Sequence, residues 1–70
     1  MVKIPLTKAQ HNKLVQYGKT LFESGKDPSE VYPALVGYCR DNFGFWMLEE
    51  QATDVYMWSV AAAGINTGSI

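Results

Sequence analysis

The sequence predicts an all-α fold, a compact three-helix domain, and three observations carry that prediction. Two capping boxes, Thr7-Lys-Ala-Gln10 and Asp27-Pro28-Ser29-Glu30, each precede a segment with apolar residues at helical spacing. Ser24-Gly25, Asn42-Phe43-Gly44 and Gly64 punctuate the ends of three such segments. No stretch alternates apolar and polar residues strictly enough to argue for a strand.

The first helix is expected over 8–24. The Thr7 hydroxyl is placed to accept the amide three residues on, and the Gln10 side chain to reach back. Leu14, Val15, Gly18, Leu21 and Phe22 then define one face, while Lys8, Asn12, Lys19 and Glu23 fall opposite. Gly25 suits the left-handed position that closes such a helix.

The second helix is expected over 28–42. Asp27 is the cap, Pro28 occupies the first helical position with its fixed φ, and Glu30 closes the box. Val31, Leu35, Tyr38 and Cys39 supply the apolar face. Pro33 lies deeper than the first free turn, where its ring opposes the carbonyl of Ser29, so a kink or a tightened first turn is expected there.

The third helix is expected over 45–63, about 28 Å long at 1.5 Å per residue. Residues 65–70 then form a short flexible tail, and residues 1–70 a single domain. The first half of this helix has a polar arc of Glu49, Glu50, Gln51, Thr53 and Asp54. Its second half is apolar nearly all round: from Val55 to Ala63 only Ser59 interrupts, and Tyr56, Met57 and Trp58 point about 100° apart. Two neighbouring helices in a chain of 70 residues cannot cover such a helix on every side. Ala61 to Gly64 are small enough for another backbone to approach closely. Self-association through this helix is the expected consequence. Phe43, Phe45 and Trp46 crowd the second break in the same way, and one or two of them are expected to meet another chain.

Composition narrows the function classes. With 47% hydrophobic and 19% charged residues, the chain is not disordered by composition. A single cysteine, Cys39, permits no internal disulfide. No secretory leader is recognisable at the N-terminus, and the longest apolar run, Val55 to Ile65, falls well short of the roughly 20 residues that span a bilayer. A cytoplasmic location is the expectation. The net charge of −1 conceals a bipolar chain: five lysines against Glu23 give +4 over residues 1–26, and Arg40 against six acids gives −5 over the rest. Such a distribution suits charge-matched association.

Catalytic constellations have little support. His11 and Cys39 fall on different predicted helices, with no paired Cys or His spacing for zinc and no oxyanion turn for a nucleophile. His11 is expected to be solvated, and Cys39 to be a small core residue. Glu50 and Asp54 lie one turn apart in a polar arc, which reads as a solvated face. No glycine-rich phosphate loop is present.

The sequence therefore predicts a non-enzymatic protein–protein interaction module without cofactor, metal, membrane or small-molecule substrate. The expected form is a homodimeric regulator, adaptor or phage-type inhibitor docking on a larger protein. Phe43, Phe45, Trp46, Tyr56, Met57 and Trp58 are its expected interface, and Glu49, Glu50 and Asp54 an acidic rim that steers association. Two alternatives remain open: a helix-turn-helix-like DNA-binding regulator using the lysines of the first helix, and a structural subunit of a larger assembly. The DNA reading meets resistance from the pI of 5.6 and from a third helix without Lys or Arg.

Overall fold

Both predicted capping boxes form. In the computed structural model, which describes residues 5–64, the Gln10 amide donates to Thr7 Oγ1 at 3.1 Å and the Thr7 amide to Gln10 Oε1 at 3.0 Å. These bonds open α1, Lys8–Glu23. Its end is a full left-handed cap: Gly25 takes φ 90°, its amide donates to the Phe22 carbonyl, and the Lys26 amide to the Leu21 carbonyl.

Asp27 starts α2, Pro28–Phe43, by accepting from both the amide and the hydroxyl of Ser29 at 2.9 and 2.8 Å. The Asp27 amide donates back to Glu30 at 3.3 Å. The helix runs unbroken through Pro33, whose ring lies on the exposed side where the Ser29 carbonyl can turn to water. The expected tightening is limited to a shared bond at the cap: the Asp27 carbonyl accepts from the Glu30 amide at 2.8 Å and, in the regular α-helical pattern, from the Val31 amide at 3.2 Å. Gly44, with φ 82°, closes the helix one residue later than the sequence indicates.

The largest departure from expectation is at α3, Glu49–Ala62, which begins four residues after the predicted start at 45. Gln51 decides this boundary. Its side chain is buried and accepts from the Leu48 amide at 2.9 Å, so Leu48 is the extended cap residue and the helix follows it. Met47, just before the cap, and Ala52, in the first turn, both join the core, as a hydrophobic staple requires. Gln51 thus leaves the solvated arc assigned to it from sequence, and 44–48 becomes a corner anchored by Met47. The predicted tail at 65–70 lies outside the described residues.

Each helix contributes one apolar face to a single core. Leu14 and Val15 come from α1, Val31, Leu35 and Cys39 from α2, and Ala52 and Val55 from α3, with Met47 sealing the corner. Leu14, Val31, Leu35, Cys39 and Val55 are fully buried. The most extensive packing is between α1 and α3. Gly18 lets them meet, because the Ser59 side chain fills the space a Cβ at that position would occupy. Ser59 is itself fully buried, and its hydroxyl donates to the Val55 carbonyl at 2.8 Å, so this polar group in the core is satisfied. An aromatic junction takes one ring from each helix: Tyr56 lies 5.8 Å from Phe22 and 6.2 Å from Tyr32.

Candidate protein-interaction surface

Packing of one face of α3 dictates what the other face exposes. Ala52, Val55, Ser59 and Val60 turn inward. At 100° per residue, Asp54, Met57, Trp58 and Ala61 fall together on the outside, at spacings of three, four and seven. Met57 and Trp58 are each 57% exposed. The same four residues line a shallow depression of about 260 Å³. α3 is therefore apolar on two opposite stripes, and within the fold only the inner stripe is covered.

Trp58 is braced, and this the sequence did not reveal. His11 of α1 meets the indole edge-on at 6.0 Å between ring centres. His11 Nε2 also lies 3.2 Å from Asp54 Oδ2. The expectation that His11 is simply solvated is thus corrected: its side chain is partly covered and bridges α1 to α3. The residues concerned are separated by 43 positions in sequence, so no local spacing could have paired them. The inward stripe of α3 and the α1 packing bring them together.

The six predicted interface residues separate into two groups. Trp46, Met57 and Trp58 are exposed, Trp46 at 61%. Phe43, Phe45 and Tyr56 are half-buried and packed against the core. Phe43 lies edge-on to Tyr38 at 5.9 Å, and Tyr38 stacks on Tyr17 at 4.5 Å, tying the end of α2 to α1. These rings fasten the bundle. Trp46 stands at the corner with the Arg40 guanidinium 5.1 Å from its ring centre, while Arg40 also pairs with Asp41 at 2.8 Å. Of the acidic rim, Glu49, Glu50 and Asp54 are all exposed, the first two in the first turn of α3 where they complement its dipole.

The remaining reactive groups lie apart from this surface. Cys39 is fully buried in α2, and burial pushes its thiol pKa up, away from the thiolate a nucleophile needs. Among the described residues, no group of three or more His, Cys, Asp or Glu side chains is arranged to hold a metal ion. No helix among them is long and apolar enough to cross a membrane. A second depression, about 410 Å³, runs between α1 and α2 over the stacked Tyr17 and Tyr38, with Asn12, Lys13, Gln16 and Thr20 along its edge. It is open and shallow, and the tyrosines form its floor.

Comparison with protein-family models, with curated proteins and with solved structures finds no match to this chain. The reading of function rests on the surface itself.

Proposed function

We propose that this protein is a non-catalytic protein–protein interaction module that self-associates through the outer stripe of α3. The observation that carries the reading is the pair Met57 and Trp58, adjacent, each 57% exposed, on a helix whose opposite face already fills the core. Tryptophan and methionine are enriched at the centres of interfaces, where a large ring is desolvated in a pocket and surrounding residues exclude water. Trp58 has the attributes of such an anchor. Its indole is held against His11, so less rotational freedom remains to be lost on binding. Asp54 at the border supplies a polar rim.

With two copies joined through α3, the lysines of α1 and the exposed Trp46–Arg40 pair remain as the surface for a larger partner protein, whose action the dimer regulates or blocks. A reducing, cytoplasmic compartment suits a chain whose one cysteine is a core residue.

Size-exclusion chromatography with light scattering, run at low and high salt, tests the reading. The expected result is a dimer that Trp58→Ala converts to monomer while the helical circular dichroism is retained. A monomer throughout the accessible concentration range overturns self-association. Loss of helicity in Trp58→Ala overturns the assignment of this residue to an interface.

A further inference from the structure

We draw no further inference here: the strongest candidate, the apolar depression on the outer stripe of α3 lined by Asp54, Met57, Trp58 and Ala61, belongs to the surface already described, and nothing in the structure shows what covers it.

Discussion

At Gly18 an added Cβ would overlap both the Cβ and the Oγ of Ser59, a side chain fully buried between α1 and α3. At Gly37, in the middle of α2, nothing lies within 4 Å of the same position. The two glycines are equally helical, so alanine improves intrinsic helix propensity at both by about 1 kcal/mol. Only at Gly18 does packing oppose the gain, since forcing extra volume into a filled interior typically costs about 1–3 kcal/mol. Ser59 has little room to give way, because its hydroxyl is committed to the Val55 carbonyl. Gly18→Ala is therefore expected to lower the unfolding free energy, by up to about 2 kcal/mol, the overpacking cost less the propensity gain. Gly37→Ala should raise it by about 0.5–1 kcal/mol, chiefly by restricting the unfolded chain. Urea unfolding followed by circular dichroism, with the slope unchanged, measures both. Equal effects of one sign would contradict the close approach at Gly18. The sequence placed Gly18 on the inner face of the first helix but gave no sign that it faces serine. Ser59 reads as a polar interruption in a greasy run, and its partner is more than 40 residues away.

Helix boundaries were legible wherever a reciprocal pair of side-chain caps sets them. Thr7 with Gln10, and Asp27 with Glu30, form the reciprocal bonds that their spacing implies. The start of α3 was missed because its cap is one-sided: Leu48 has no oxygen to offer, and only Gln51 reaches back. A leucine at a cap carries no sequence signal, and Phe45 to Leu48 fit a helical pattern as well as a corner. Asp27 gives α2 a dependence on pH. The amide and hydroxyl of Ser29 both donate to its carboxylate, holding its pKa below the ordinary 3.8. A carboxyl group whose pKa is lower folded than unfolded stabilises the folded state above the unfolded value, and that contribution fades as pH falls through the folded one. Asp27→Ala should accordingly unfold more easily than wild type at neutral pH, with the gap closing as pH drops below the ordinary carboxylate range. Thermal melts of the pair across pH check this. A gap that stays constant into acid would mean that the charged form of Asp27 contributes nothing to the cap.

For the whole molecule, the surplus of apolar surface on α3 was visible in the sequence, and its distribution was not. Composition along Val55 to Ala63 shows that three helices cannot enclose every large side chain there. Which ones stay outside depends on how α1 and α2 divide the inner face. Tyr56 goes in, taking its place between Phe22 and Tyr32, while Met57 and Trp58 stay out. At the corner Phe43 and Phe45 likewise turn toward the core and Trp46 does not. Exposed aromatic surface of this kind has a thermodynamic signature when a second copy covers it. Association stabilises the folded state by mass action, so the melting temperature rises with protein concentration. A domain of this size unfolds with a small entropy change, and each 1 kcal/mol shifts its melting temperature by about 4–8 °C. A hundredfold increase in concentration adds about 2.7 kcal/mol per mole of dimer once association is saturated, shared between two chains. The wild-type melting temperature should therefore climb by several degrees over that range. Trp58→Ala should melt at one temperature throughout, close to wild type at the lowest concentration, because the indole it removes is more than half exposed within the single chain. Differential scanning calorimetry at a series of concentrations distinguishes the cases. A variant that melts lower than wild type by the same amount at every concentration would make Trp58 a part of the core, and the outer stripe of α3 would lose its anchor.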